Sequence, residues 1–326
     1  MSVKEKTLEV LENNRGNYIS GAELASTLEV SRNAVWKAIK SLEKEGYIID
    51  AVKNRGYRLA DTNDILSEQS IQKYVTKHQD VFKVQVHKCL RSTNETLKEL
   101  AFNGEQEGTV VIAEEQTCGR GQLGRSFYSP MGTGIYMSIL LRPKMKLEHA
   151  LFLTTSAAVA VAQAIECVSH REAQIKWVND VYCDGKKVCG ILTEASLNVE
   201  AGGIDYIVLG IGINVNKPKE GFPDDIMGIA DSIFDSSKTD VRSQLIAEVL
   251  MRFWNYYEHL EEKEFLKEYI SRSCLIGRKV LIERKEGEEE VEVLAINEQC
   301  HLIVKHADGK EEEIYAGTVR LRPIKE

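Results

Sequence analysis

The stretch Glu114-Glu-Gln-Thr-Cys-Gly-Arg-Gly-Gln-Leu-Gly-Arg-Ser-Phe-Tyr-Ser-Pro130 sets three glycines among two arginines, Arg120 and Arg125. Glycine lets a backbone approach a ligand closely, and guanidinium groups suit carboxylate or phosphate, so these residues point to anion handling by a loop able to close over its ligand. A solvated basic surface loop is the other reading. Gly119, Gly121 and Gly124 also spell G-x-G-x-x-G, but a dinucleotide site needs a helix opening at the glycines and an acid about twenty residues on. Thr109–Ala113 reads as the required strand. The glycines then run into Ser126–Pro130 and Met131–Gly134, which forbid a long helix, and Lys144 stands where the acid is needed. The dinucleotide reading is therefore set aside.

Two further stretches carry chemistry. Arg91-Ser-Thr-Asn94 places three small polar side chains before a helix at Glu95–Leu100, where they either cap the helix or hydrogen-bond a polar ligand head. In Gln174-Ile-Lys-Trp-Val-Asn-Asp180, apolar residues bracket Lys176, which places its ammonium in a buried strand that calls for an anion. Asn179 and Asp180 end that strand, as metal ligands or as a turn. Gly210 and Gly212 leave one face of the apolar strand Tyr206–Val215 bare, either for a flat ligand or for tight packing.

These groups must be positioned by a sizeable fold. A chain of 326 residues, 43% hydrophobic and 28% charged, is long enough for two or three domains. Residues 67–273 alternate strands and helices in an α+β manner. After residue 274, Lys279–Glu283, Val291–Ile296, His301–Lys305 and Glu313–Ala316 read as short strands with an Asp308-Gly309 turn. No uninterrupted apolar run has the roughly 18 residues of a membrane span, and the first residues lack a signal peptide's apolar core. The seven cysteines are odd in number and scattered, which points to a reducing cytoplasm, and Cys183 and Cys189 across an Asp184-Gly185 hairpin have no second cluster to make a zinc site.

The net charge of −8 is not that of a general nucleic-acid coat protein, yet residues 1–60 carry +2 and so leave −10 on the rest. Within them Ser20-Gly-Ala-Glu23 reads as a capping box opening a short helix. A second helix runs from Arg32 toward Gly46, with Val35, Ile39 and Leu42 on its apolar side. Alternation around Asn54-Arg-Gly56 then gives a hairpin wing. This reads as a winged helix-turn-helix, whose second helix would enter a major groove and whose wing cations would meet phosphates; a three-helix protein-interaction module with a solvated basic face is the other reading. Ser31, Arg32, Asn33 and Lys37 are the expected readers, with Lys53 and Arg55 on the wing. So small an excess of positive charge implies a dimer on two half-sites.

Arg91-Ser-Thr-Asn94, Gln116, Gly119-Arg-Gly121, Lys176-Trp-Val-Asn-Asp180 and Gly210-Ile-Gly-Ile-Asn214, in this order over essentially the whole chain, resemble the biotin–protein ligases. With the winged helix they resemble the bifunctional ligase and biotin-operon repressor type. The resemblance implies three units: a winged helix-turn-helix over 1–62, a catalytic domain over 67–273 with a mixed β-sheet and flanking helices like class II synthetases, and an SH3-like β-barrel over 274–326. It implies that biotin and ATP form biotinoyl-5′-AMP with Mg²⁺ aiding pyrophosphate departure, and that a lysine of the biotin carboxyl carrier protein then displaces AMP. The same adenylate would act as corepressor, favouring a homodimer on operator DNA and silencing biotin synthesis and uptake genes.

Carried over by position, Ser92, Thr93, Asn94 and Gln116 would meet the ureido end of biotin, with Gly119, Arg120, Gly121, Gln122, Lys176 and Gly190 completing its contacts. Arg120, Arg125, Asn179, Asp180, Gly212 and Asn214 would serve the nucleotide, Asp180 the metal, and Lys176, Arg120 and Arg125 the catalytic charge. Two positions depart from the family: Gln122 replaces the second arginine of G-R-G-R, which is expected to weaken adenylate retention, and Val178 replaces the proline of K-W-P-N-D. Lipoate–protein ligases are similar in fold, but the polar Ser92–Asn94 and Gln116 suit a ureido group better than a dithiolane. A biotin-sensing transcription factor without ligase activity is the remaining alternative.

Overall fold

The computed structural model describes residues 1–198, 203–284, 287–316 and 320–323. Its first helix, α1 (Val3–Asn13), starts at a reciprocal capping box between Ser2 and Glu5 and is absent from the sequence reading. α2 (Gly21–Thr27) is capped by Ser20, whose hydroxyl accepts the Glu23 N–H at 3.0 Å. The return bond from Glu23 is not formed, so only half of the expected box exists. α3 (Arg32–Lys44) and the hairpin β1 (Ile49–Val52) and β2 (Gly56–Leu59) complete the winged helix around Leu8, Leu11, Leu24, Val35, Ile39 and Leu42. The wing turns through Asn54 at φ +67°, a conformation asparagine tolerates.

The next elements are α4 (Glu68–Gln72), β3 (Lys83–His87), α5 (Thr93–Phe102), β4 (Thr109–Ala113), β5 (Gly134–Leu141) and α6 (Ala150–Ser169). They are followed by β6 (Gln174–Lys176), β7 (Asp180–Cys183), β8 (Lys186–Asn198), β9 (Gly203–Asn214), α7 (Val241–Glu258) and α8 (Phe265–Ser271). The seven strands form one mixed sheet in the order β3-β4-β5-β9-β8-β7-β6, parallel only between β3 and β4. Both faces are covered, and the residues alternate accordingly. Ile135, Met137, Ile139 and Leu141 of β5 and Ile207, Leu209, Ile211 and Ile213 of β9 join the core with α6, α7 and α8. Val111, Leu140 and Val208 face the other way, against Leu97 and Ala101 of α5.

Leu147–Ser169 is long and apolar enough to cross a membrane by length and composition, but 72% of its most apolar window is buried inside the fold. It is the core helix beneath the sheet. The last strands, β10 (Lys279–Arg284), β11 (Gly287–Ile296), β12 (Leu302–Lys305), β13 (Glu311–Ile314) and β14 (Arg320–Pro323), form an antiparallel sheet in the order β13-β12-β11-β10-β14. The strand expected at Glu313–Ala316 thus begins and ends two residues earlier. This sheet shares its core with the central part: Val280, Val293 and Leu302 belong to the same apolar cluster as α6, and Trp177 Nε1 donates to the Cys300 carbonyl at 2.8 Å. Residues 324–326 of the expected third unit lie outside the described residues.

The winged helix is joined to the rest by charge. Arg242 in α7, only 2% exposed, donates to Asp64 at 3.0 Å and to Glu114 at 2.6 Å, while Glu114 also accepts the Leu66 N–H at 2.7 Å. Lys73 bridges Glu12 of α1 and Asp240, both at 2.9 Å. Removing one member of such a buried set leaves an uncompensated charge, so the segment after β2 is held in place.

Candidate active site

The site lies on the face of the sheet that α5 only partly covers. Register places Tyr136, Gly212, Gly190, Asp180 and Lys176 opposite one another in turn across β5, β9, β8, β7 and β6. Directly opposed residues share a face, so these positions form one row. The adjacent row runs through Ser138, Gly210 and Leu192. The glycines at the centre of both rows make room for side chains that lie over the sheet: Asn94 at Gly210, Phe127 at Gly212, and Lys187 beside Gly190.

At the α5 end the polar side chains form a closed network. The Thr93 N–H donates to Gln116 Oε1 at 2.8 Å, and the Ser138 hydroxyl lies 2.7 Å from Thr93 Oγ1 and 2.6 Å from Asn94 Oδ1. Asn94 Nδ2 in turn donates to Glu194 at 2.8 Å. Ser92, Thr93 and Asn94 are all buried, and Ser92 makes no side-chain cap bond, so this segment is more than a helix start. The bare face at Gly210 is needed by Asn94, because a Cβ there would run into its carboxamide. Burial alone would raise the Glu194 carboxyl, but the bonds from Asn94 and Lys98 hold it below its ordinary value.

The loop from Glu114 is a small hairpin. Phe127 N–H returns to the Gly119 carbonyl at 2.9 Å and Gly121 N–H to the Arg125 carbonyl at 2.7 Å, with a 3-10 turn at Gln122–Gly124 and Gly124 at φ +75°. Gly119 is buried, and a Cβ there would meet Ser129 Oγ at 2.6 Å. Its glycine therefore serves the loop's packing on itself rather than ligand approach. Phe127, which the sequence reading treated only as part of a helix-breaking stretch, lies over the glycine row: a Cβ at Gly212 would come within 2.6 Å of its ring. The space at Gly212 thus belongs to an aromatic ring of the loop.

Arg120, Gly121, Gln122, Gly124 and Arg125 line a cleft of about 440 Å³ with Leu192 and Glu194. Arg120 and Arg125 are exposed there. Arg120 is ion-paired with Glu95, whereas Arg125 makes no ion pair among the described residues. At the far end of the row Lys176 is held below the ordinary lysine value, chiefly by burial and also by Lys187 and Arg125, against the pull of Asp180. Among the described residues no carboxylate lies within ion-pair distance of it. Asp180 Oδ1 lies 2.6 Å from Lys187 Nζ. Asn179 and Asn214 donate side-chain N–H groups to the Ile191 and Asp231 carbonyls, at 2.7 and 3.1 Å, and so buttress strands. Ser138, Glu194, Lys187 and Phe127 were missed by the sequence reading because only strand pairing and loop folding bring them here.

On the winged helix, Arg32, Asn33 and Lys37 are exposed along α3, and Lys53 and Arg55 at the wing. Ser31 caps α3 by accepting the Ala34 N–H at 3.2 Å, and Trp36 adds an exposed aromatic among the expected readers. Arg55 stacks over Tyr18 at 4.3 Å.

Residues 3–58 match the family model of an HTH domain, and residues 86–214 that of the Biotin/lipoate A/B protein ligase family. The chain is 38% identical over 257 residues, 78% of each chain, to the bifunctional ligase/repressor BirA of Bacillus subtilis. It is 29% identical over 272 residues to the protein of the same name from Escherichia coli, covering 83% of this chain and 81% of that one. Among solved structures it resembles the biotin protein ligase of Aquifex aeolicus in complex with biotin and ATP, with 29% identity and a TM-score of 0.62 over 74% of this chain and 99% of that chain. The chain therefore belongs to the bifunctional ligase/repressor family of biotin protein ligases.

Proposed function

We propose that the chain joins biotin to ATP, transfers the biotinoyl group to a lysine of a biotin carboxyl carrier protein, and represses transcription as an adenylate-bound dimer. The observation that carries the ligase reading is the polarity of the glycine-floored face. Its α5 end offers neutral hydrogen-bonding groups at Thr93, Asn94 and Gln116, and its β6 end offers the Lys176 ammonium. A ligand with a neutral polar head and a carboxylate tail fits that order. The dithiolane of lipoate offers these head groups no hydrogen bonds in exchange for those it would disrupt, whereas a ureido group does.

In this reading the ureido end of biotin replaces bonds that Thr93, Asn94 and Gln116 now make within the protein, and the tail runs toward Lys176 as the Phe127 ring and the Lys187 chain give way. A biotin carboxylate oxygen attacks the α-phosphorus of ATP as the bond to the bridging oxygen breaks, giving biotinoyl-5′-AMP and pyrophosphate. Lys176, Arg120 and Arg125 supply the positive charge that lets an anion approach a polyanion. The carrier's lysine amine then attacks the acyl carbon and AMP leaves with the bonding electrons. Asn179, Asp180, Gly212 and Asn214 border the row where the nucleotide would lie.

Among the described residues no group of three or more His, Cys, Asp or Glu side chains is placed to hold a metal. The donor set fits a Mg²⁺ that arrives on the nucleotide, with Asp180 as the protein's oxygen, since this ion commonly takes one or two carboxylates plus phosphates. It would supply charge neutralisation for the departing pyrophosphate.

Residues 1–62 are the DNA-binding unit in this reading, 67–273 the catalytic unit and 274–326 a C-terminal unit docked on it. The adenylate acts as corepressor by stabilising the dimer that presents two winged helices. The test is to mix purified protein with biotin, MgATP and a carrier domain and follow the carrier by intact mass. Addition of one biotin, lost with Lys176→Ala, supports the reading. Biotin binding without transfer would leave a sensor, with DNA binding as the principal activity.

A further inference from the structure

The two loop arginines are not in equivalent states. Arg125 has no ion-pair partner among the described residues, whereas the Arg120 guanidinium is turned onto Glu95, in the first turn of α5 next to the ligand-facing Asn94. Glu95 is also approached by Arg91, at 3.2 Å. Its side chain is 26% exposed, and that of Arg120 is 49% exposed. Glu194, which lines the same cleft, is lowered in pKa by Arg120 as well as by Asn94 and Lys98. The cation at the mouth of the cleft is thus already neutralised by a carboxylate of the protein itself.

We propose that Glu95 is a resident counter-anion for Arg120, which the phosphate of the adenylate must displace, so that Glu95 sets how fast the adenylate is released. This rests on the ligase reading above. Glu95 does not touch the reacting atoms in this account; it acts through Arg120 and is a positioning residue. Two anions compete for one guanidinium, so charge on Glu95 opposes ligand retention, and removing the charge while keeping the shape strengthens it. An ion pair this exposed changes rate or affinity by up to roughly fivefold.

The experiment is to load the full-length protein with biotinoyl-5′-AMP and follow release by stopped-flow dilution for wild type, Glu95→Gln, Glu95→Asp, Arg120→Ala and the Glu95→Gln/Arg120→Ala pair. Release is expected to slow about twofold to fivefold in Glu95→Gln. Glu95→Asp, which keeps the charge, is expected near wild type, and Glu95→Gln should have no effect once Arg120 is alanine. A purely structural role for Glu95 would not vanish with Arg120. If Glu95→Gln is unchanged or releases faster while wild type still biotinylates the carrier, the counter-anion role is overturned and the ligase reading stands. A wild-type chain that neither binds the adenylate nor modifies the carrier overturns both.

Discussion

Lys176 and Asp180 face each other across strands β6 and β7, yet the Asp180 carboxylate lies 2.6 Å from Lys187, so the acid opposite the lysine is already engaged. Burial therefore dominates, and the Lys176 pKa falls below 10.5. The sign follows: the charged form is disfavoured in the folded protein, so the ammonium weakens the fold in full at pH below the lowered pKa, and that penalty fades as pH rises from the lowered pKa to 10.5. The charge proposed to act on the substrate is present over the same low range and is lost as pH rises. Adenylate formation is expected to fall on an alkaline limb centred below 10.5. Lys176→Arg should push that limb out of range, because guanidinium does not titrate there, and Lys176→Gln should lower the rate at every pH. A limb that persists in Lys176→Arg would assign it to another group.

Gly210→Ala tests the floor beneath the polar head. The new methyl would occupy the position of the Asn94 carboxamide, which is bonded to Ser138 and Glu194. Displacing a carboxamide that would hydrogen-bond the ligand costs about 0.5–1.5 kcal/mol, so biotin affinity by calorimetry should drop roughly two- to thirteen-fold. The melting temperature should change less than in a core variant such as Ile211→Ala, since the rearrangement stays on the ligand face.

How much of this was legible in sequence depends on range. Thr109–Ala113, Ile135–Leu141 and Arg32–Lys44 were readable because their patterns are local, and the wing turn because Asn54-Arg-Gly56 has its own chemistry. Lys176 betrayed itself by its apolar neighbours. Its place in one row with Asp180, Gly190 and Gly212 was not readable, since register across four strands is set by pairing over long sequence distances. For the same reason Gly210 and Gly212 looked alike in sequence, although one makes room for Asn94 and the other lies under Phe127. α1 was missed because its main sequence signal is the Ser2 and Glu5 capping box at the start of the chain.

Arg242 is another long-range feature, held between Asp64, in the segment after β2, and Glu114 at the base of the glycine-arginine loop. Truncation to alanine would leave two carboxylates facing each other in a buried site. A loss of about 3–5 kcal/mol in urea unfolding is expected, with a smaller loss for Arg242→Lys. The same truncation should make the segment around Asp64 and Leu66 more susceptible to limited proteolysis.

On the winged helix, roles separate by salt dependence. Lys53→Ala or Arg55→Ala at the exposed wing should weaken all DNA sequences alike and reduce the slope of log affinity against log salt by about one. Asn33→Ala should instead relax base preference at one position with the slope unchanged, as gel-shift titrations over salt and DNA-sequence variants would show.

Gln122 is where the chain departs most visibly from the expected loop. It is exposed at the lip of the cleft, between an Arg120 already paired with Glu95 and an Arg125 without an ion-pair partner among the described residues. Only one loop cation is therefore unengaged to hold a phosphate. Gln122→Arg adds a second without disturbing the hairpin, because neighbouring backbone bonds from Gly121 to Arg125 and from Arg125 to Gln122 do not involve its side chain. At an exposed position a single added cation is worth up to about 1 kcal/mol, so adenylate release should slow about twofold to fivefold. Arg125→Ala should speed release in the native background and have less effect once Gln122 is arginine, if the two cations serve the same phosphate. Unchanged release in Gln122→Arg would mean that the loop's grip on the adenylate does not depend on charge at this position.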